Sequence, residues 1–251
     1  ENLPHLIDSI INSDIGYIGY FPTEYITNKV KKININKISP ADFFLSSEWY
    51  PTAKPVANFG TITLILSTLL ISIISIIISI IFGISTSIYI AEIANNYTRN
   101  IIKICIELLA GIPSVVYGFF GLVVIVPLIR DIFDLPVGET ALSGSIILAI
   151  MALPTIITIS DDAIRNVPRT LKEASYALGA SKLQTIFKVS IPYAKSGIIA
   201  AIMLGIGRVV GETMAVLMVT GNATNMPTSL LLPVRTITAT IAAEMGEAPF
   251  G

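Results

Sequence analysis

Arg208 and Glu212 are the two residues best placed to do chemistry, because they are the charges inside an otherwise apolar stretch from about Gly197 to Thr220. An arginine in the middle of a membrane helix costs about 2.5–3.5 kcal/mol, so it requires an internal partner or a water-filled cavity. Glu212 follows four residues later, one helical turn away, and can pair with it. Two readings follow. In one, the pair is a neutralised clamp that only locks helices together. In the other, the guanidinium offers a planar donor fork to a passing oxyanion, a geometry that suits phosphate better than an ammonium would. Glu212 then keeps the empty site near neutral and competes for Arg208, so binding stays weak enough for release. Gly207 and Gly211 add a G-x-x-x-G pair that permits close approach by another helix. The stretch is therefore expected to face protein or a pore.

The second group lies in the polar segment from Asp161 to Lys195. Thr170-Leu-Lys-Glu173 has the form of a capping box, and Ser181-Lys-Leu-Gln184 repeats it after Gly179, a plausible left-handed helix stop. Two short helices with a glycine joint are expected, the second presenting Leu183, Ile186 and Phe187 along one side and ending at Pro192. Exposed apolar side chains on such a loop make physical sense where a partner buries them.

Other chemistry is thin. His5 is the one histidine and Cys105 the one cysteine, which excludes multi-ligand Cys/His zinc sites and an intrachain disulfide and argues against a Ser-His-Asp site. Asp161 and Asp162 face different ways on a helix and are read as solvated rather than as a metal pair. Arg235 is read as a solvated cation and Glu107 as an interfacial or packing residue. No G-x-x-x-x-G-K-[ST] loop occurs, so ATP is not bound by that route and energy must come from a partner. Neither a catalytic residue nor a bound cofactor or metal is expected on this chain.

The elements that must position these residues follow from composition. Of 251 residues, 53% are hydrophobic and 13% charged, against about 25% charged in a soluble domain, and the mean hydropathy is +0.77. The chain is expected to be an all-α, polytopic membrane bundle. A charge-free run at 61–90 exceeds the roughly 20 residues that cross a bilayer. Further spans are expected at about 104–129, 142–160 and 197–220. The second is interrupted by Gly111 and Pro113, which mark a kink or hinge. Arg165, Arg169, Lys172, Lys182, Lys188 and Lys195 crowd into 161–195, and Arg99 and Lys103 lie two crossings earlier, which places both segments in the cytoplasm. Residues 1–58 read as a polar extracytoplasmic segment of unknown role, followed by a transmembrane domain over 59–251. Abrupt ends at Glu1 and Gly251 suggest that hydrophobic segments are missing at both.

Glu173-Ala174-Ser175, then Gly179, then Val189-Ser-Ile-Pro192 resembles the EAA loop of ABC-importer permeases, with Ser175, Val189 and Ile191 as conservative departures. The resemblance implies a type I importer (MetI-like) fold and a loop that sits in a cleft of an ATPase subunit. Gly111-Ile-Pro-Ser-Val-Val-Tyr-Gly-Phe-Phe-Gly121, Gly207-Arg-Val-Val-Gly-Glu-Thr-Met-Ala-Val216, Gly221-Asn222 and Pro227-Thr-Ser-Leu are similar to segments of phosphate-specific permeases of the PstC type. Gly211-Glu-Thr-Met-Ala215 favours that type over its PstA sister. By this resemblance the residues matching Arg208 and Glu212 are implicated in phosphate transport. The implied partners are a PstA-type permease, a PstB-type ATPase dimer carrying ATP and Mg, a PstS-type external phosphate-binding protein, inorganic phosphate and the lipid bilayer, with no nucleic acid. Permeases for sulfate, molybdate or tungstate compete within the class; an ATP-independent ion-coupled transporter or channel competes from outside it.

Overall fold

A computed structural model describes residues 40–46, 49–50 and 59–245. Most of the expected polar segment 1–58 therefore lies outside the described residues. Nine helices are described, α1 (Pro40–Leu45), α2 (Thr61–Ile93), α3 (Asn96–Ala110), α4 (Ser114–Phe133), α5 (Ala141–Arg165), α6 (Arg169–Ala177), α7 (Lys182–Val210), α8 (Met214–Val219) and α9 (Ile237–Glu244). Of these, α2, α4, α5 and α7 are long and apolar enough to cross a membrane. The expected all-α architecture with four membrane-length helices is what the described residues build.

The central helix is α5, with α2 and α7 packed along it. Small residues make this possible. In a bilayer, helices are not driven together by the hydrophobic effect, so close approach and interhelical hydrogen bonds must hold them. Ser67, Ser75, Ser79, Gly83 and Ser87 recur every fourth or eighth residue on α2 and are buried. The Ser75 hydroxyl lies 2.9 Å from Ser145 O and that of Ser79 lies 3.1 Å from Ala149 O, both on α5. Ser145 Oγ reaches back to Ile71 O at 3.4 Å. Such bonds contribute about 0.6 kcal/mol each in lipid. Ile156 of α5 then wedges between two glycines. A Cβ added at Gly83 or at Gly205 of α7 would sit 2.9 or 2.8 Å from its side chain. Gly197 meets Ala163 further along, so α5 and α7 run antiparallel in tight register.

Two expected spans are redrawn. The run 104–129 divides at Gly111-Ile112-Pro113, giving α3 before the break and the membrane-length α4 after it. Tyr117 Oη donates to Leu109 O at 2.7 Å, satisfying a carbonyl that the break frees. The run 197–220 also divides: α7 starts fifteen residues earlier, at Lys182, and ends at Val210, and α8 is separate. Pro192 does not end the helix before this span. The turn Ile186–Ser190 is π-helical, and Pro192 follows at the start of the next α-helical stretch. A proline ring collides with the carbonyl four residues back; a wider turn moves that carbonyl aside and lets the helix continue. The same device precedes Pro127, where Gly121–Ile125 is π-helical within α4.

Candidate functional site

Arg208 stands in the last turn of α7, half-buried. Its Nη1 donates to Thr155 Oγ1 of α5 at 3.2 Å. Thr155 lies 14 residues into α5 from Ala141, roughly 21 Å at 1.5 Å per residue, near the middle of that span. The expected pair with Glu212 does not form in this conformation. Among the described residues no carboxylate lies within ion-pairing distance of Arg208.

The reason is local. Helix α7 ends at Gly211, so Glu212 is not one further turn of the same helix. Its Oε1 instead accepts the Ala215 amide at 3.2 Å, capping α8, and its carbonyl accepts the Thr238 hydroxyl at 2.8 Å. The G-x-x-x-G face is also unused within the described residues. A Cβ at Gly207 would meet nothing within 4 Å, and one at Gly211 only its own helix's Gly207 carbonyl at 3.2 Å. Arg208 therefore sits beside an open glycine face.

At the Arg165 end of α5, the loop is helical as expected, with one change of start. Helix α6 begins at Arg169 behind Pro168, whose fixed φ of −55° and extended ψ of 134° set the helix entry. Thr170 is then inside the helix and cannot cap it, so the first expected capping box is absent. The second forms in full: Gln184 N donates to Ser181 Oγ, and Ser181 N to Gln184 Oε1. Gly179 adopts φ +83°, the left-handed stop, and Ala180 N reaches back to Ser175 O at 3.2 Å. Glu173, Ala174, Gly179 and Pro192 are exposed.

Leu183 and Phe187 point outward at 61% and 62% exposure, with Leu178 beside Gly179 at 89%. Ile186 does not join them; it is buried at 1%. Leu183 and Phe187 share one face four residues apart, and Ile186 turns inward where the π turn begins. Gly111 and Pro113 cap the two sides of the α3–α4 break and are both exposed.

Three polar groups escaped the sequence reading. Asp161 is not solvated. It is 1% exposed and pairs with Lys103 Nζ of α3 at 3.0 Å and Arg165 Nε at 2.7 Å. The i, i+4 spacing of Asp161 and Arg165 was the available signal. Arg235, expected in water, is 14% exposed in its side chain and pairs with Glu244 at 3.1 Å, while Trp49 Nε1 donates to the same carboxylate at 2.9 Å. Lys172 of α6 pairs with Glu92 in the last turn of α2 at 2.7 Å; no pattern in the sequence joins residues so far apart. Asp162 is exposed as expected; Glu107, read as an interfacial or packing residue, is exposed as well. A cavity of about 330 Å³ opens at the Ala141 end, lined by Val137, Glu139, Leu217, Met218, Gly221, Asn222 and Pro233; Arg208 does not line it.

Residues 83–243 match the family described as binding-protein-dependent transport system inner membrane component. The chain is 41% identical over 217 residues to a probable ABC transporter permease protein, YqgH, of Bacillus subtilis, covering 86% of this chain and 70% of that one. It is 36% identical over 231 residues to the phosphate transport system permease protein PstC of Xylella fastidiosa, covering 84% and 70%. With the PstC of Mesorhizobium japonicum the identity is 38% over 225 residues, covering 82% and 68%. A solved structure of the MetNI methionine ABC transporter in an inward-facing conformation superposes with a TM-score of 0.59 at 20% identity, covering 76% of this chain and 82% of that one. That last likeness speaks to the fold.

Proposed function

This chain belongs to the family of binding-protein-dependent transport system inner membrane components, among relatives of the PstC phosphate permeases, and from that premise we propose that it forms half of the translocation pathway of an ATP-driven phosphate importer. Arg208 carries the reading. A half-buried guanidinium near mid-membrane, held by one neutral hydroxyl and beside an open glycine face, is a site that attracts an anion rather than a neutralised clamp. Its fork geometry suits an oxyanion of the phosphate kind.

The remaining assignments support this role. The excess of lysine and arginine in 161–195 sets that loop in the cytoplasm of a multi-pass protein of the cell membrane. Residues 1–58 then lie outside and 59–251 form the permease domain. The exposed Leu178, Leu183 and Phe187 with Glu173 offer the surface that a separate ATPase dimer, loaded with ATP and Mg, covers. This chain binds no cofactor. A PstA-type permease supplies the other half of the pathway, and a PstS-type protein delivers phosphate from outside. Closure of the ATPases moves the loop from Glu173 to Pro192, which is continuous with α7 and so with Arg208. Gly111 and Pro113 give the α3–α4 joint freedom to move with it. Glu212, placed just past the end of α7, exchanges its cap on α8 for Arg208 when the anion leaves.

The test is ATP-dependent uptake by the complete complex in proteoliposomes. Arg208→Ala and Glu212→Gln each abolish phosphate uptake while the complex still assembles; normal transport by both variants ends the reading. Sulfate, molybdate and tungstate, tried in parallel, must stimulate ATP hydrolysis less than phosphate does. Uptake that persists without the ATPase would show an ion-coupled carrier instead.

A further inference from the structure

Thr155 departs from the commonest behaviour of a hydroxyl on these helices in what its hydrogen does. Thr68, Ser75, Ser79, Ser145 and Thr220 each donate to the carbonyl one turn back on their own helix. That is the usual fate of a hydroxyl in a membrane helix, where no water competes for it. Thr155 makes no such bond. Its single hydrogen bond among the described residues is the one in which its oxygen accepts from Arg208 Nη1 at 3.2 Å. The hydroxyl proton is thus uncommitted, and one lone pair of the oxygen remains open as well. An O–H whose oxygen already accepts from a guanidinium is a polarised, stronger donor.

Resting on the reading of Arg208 above, we propose that Thr155 is a second anion-binding residue of the pathway, donating its hydroxyl to an oxygen of the phosphate held by Arg208. The free lone pair adds selectivity. Hydrogenphosphate carries a P–OH donor as well as acceptor oxygens, and the Thr155 oxygen can accept it; sulfate at neutral pH brings acceptors only and leaves that lone pair empty. A site that hydrogen-bonds a substrate O–H discriminates against an analogue lacking it far better than an apolar wall does. The position is fixed on both sides. Pro154 and Ile156 flank Thr155 on α5, and Ile156 is clasped between Gly83 and Gly205, three residues before Arg208. The hydroxyl is therefore presented from a closely packed helix crossing.

The experiment is phosphorus NMR line broadening of inorganic phosphate by the assembled permease–ATPase complex in nanodiscs, without the external binding protein, so that the pathway site is read directly. Competing sulfate is added in a second titration. Thr155→Val, which keeps the shape and removes the hydroxyl, weakens phosphate binding about tenfold and narrows the preference over sulfate; Thr155→Ser restores both. Assembly of the complex, read by gel filtration, stays at the wild-type level in both variants. Wild-type phosphate affinity in Thr155→Val overturns the proposal, as does an equal loss in Thr155→Ser, which would assign the effect to the methyl group. Arg208→Ala separates the two ideas. Lost binding there with normal binding in Thr155→Val sinks only the role of Thr155. Unchanged binding in Arg208→Ala, or no broadening by the wild type, sinks the reading of the site itself and this inference with it.

Discussion

Glu212 shows how one residue can carry two roles that substitution can separate. In this conformation its carboxylate caps α8 by accepting from Ala215 N, a service that the carbonyl oxygen of glutamine can also perform. If capping were its whole role, Glu212→Gln would transport normally and only Glu212→Ala would fail, at a stability cost of about 1 kcal/mol. We expect both to lose uptake and only the alanine variant to melt earlier, because the charge is needed to displace the anion. Asp161 makes a complementary case. Its two cations keep part of their surface in water, with side-chain exposures of 38% for Lys103 and 29% for Arg165, whereas Asp161 itself has 2%. Removing the carboxylate leaves cations that can hydrate; removing both cations strands a buried charge. The double variant Lys103→Met with Arg165→Met is therefore predicted to cost about 3–5 kcal/mol and Asp161→Asn less, an order that thermal melting of the purified complex can check. Arg208 was legible in the sequence because a charge in an apolar run is conspicuous. The burial of Asp161 was not, because its partner Lys103 comes from α3 and only the fold brings the two together.

The elements were legible where hydrophobic length decides them and less so where breaks do. The spans at 61–90 and 142–160 needed only extension, to Ile93 and to Arg165, since a charge-free apolar run leaves a membrane helix no alternative, and α5 continues through Pro154. Gly111, Pro113 and Gly211 divide the other two runs, and their effects differ from that of Pro192, which a π turn absorbs. Proline and glycine mark a weak point in a helix; whether the helix breaks there or bulges depends on what packs against it. The serine and glycine stripe of α2 was readable as a four-residue repeat, yet its meaning needed α5 opposite. Gly144, also on α5, tests a neighbouring contact, with Thr220 just past α8. A Cβ there would lie 2.5 Å from Thr220 Cγ2, so Gly144→Ala is expected to cost about 1–3 kcal/mol. Thr220→Ser removes the offending methyl and keeps the hydroxyl that bonds Val216 O at 3.0 Å. The double variant should recover most of the loss in a thermal melt; no recovery would show that the strain lies in α5 rather than at this crossing.

At the scale of the whole molecule, the question is how motion at the loop reaches a site ten residues inside α5 from Arg165. One connection is covalent, since the second half of the loop is the first part of α7, which carries Arg208 in its last turn. The first half, α6, is tied elsewhere: Lys172 grips Glu92 at 2.7 Å with side-chain exposures of 19% and 9%, which fastens α6 to the π-helical end of α2. Helix α2 in turn is bonded to α5, the helix bearing Thr155, through Ser75 and Ser79. A push on the loop therefore reaches Arg208 through α7 and Thr155 through α6, α2 and α5. If the ion pair transmits force, breaking it should uncouple the machine without stopping it. Glu92→Gln and Lys172→Met are each expected to retain ATP hydrolysis while phosphate moved per ATP falls several-fold. The exchanged pair, Glu92→Lys with Lys172→Glu, should regain much of the coupling, because the contact is between two side chains of similar reach. Wild-type coupling in both single variants would leave α7 as the sole transmission path. A pair that merely stabilised the fold would instead lower assembly and hydrolysis together and leave their ratio to transport unchanged, so measuring uptake and hydrolysis on the same vesicles decides between force transmission and simple fastening.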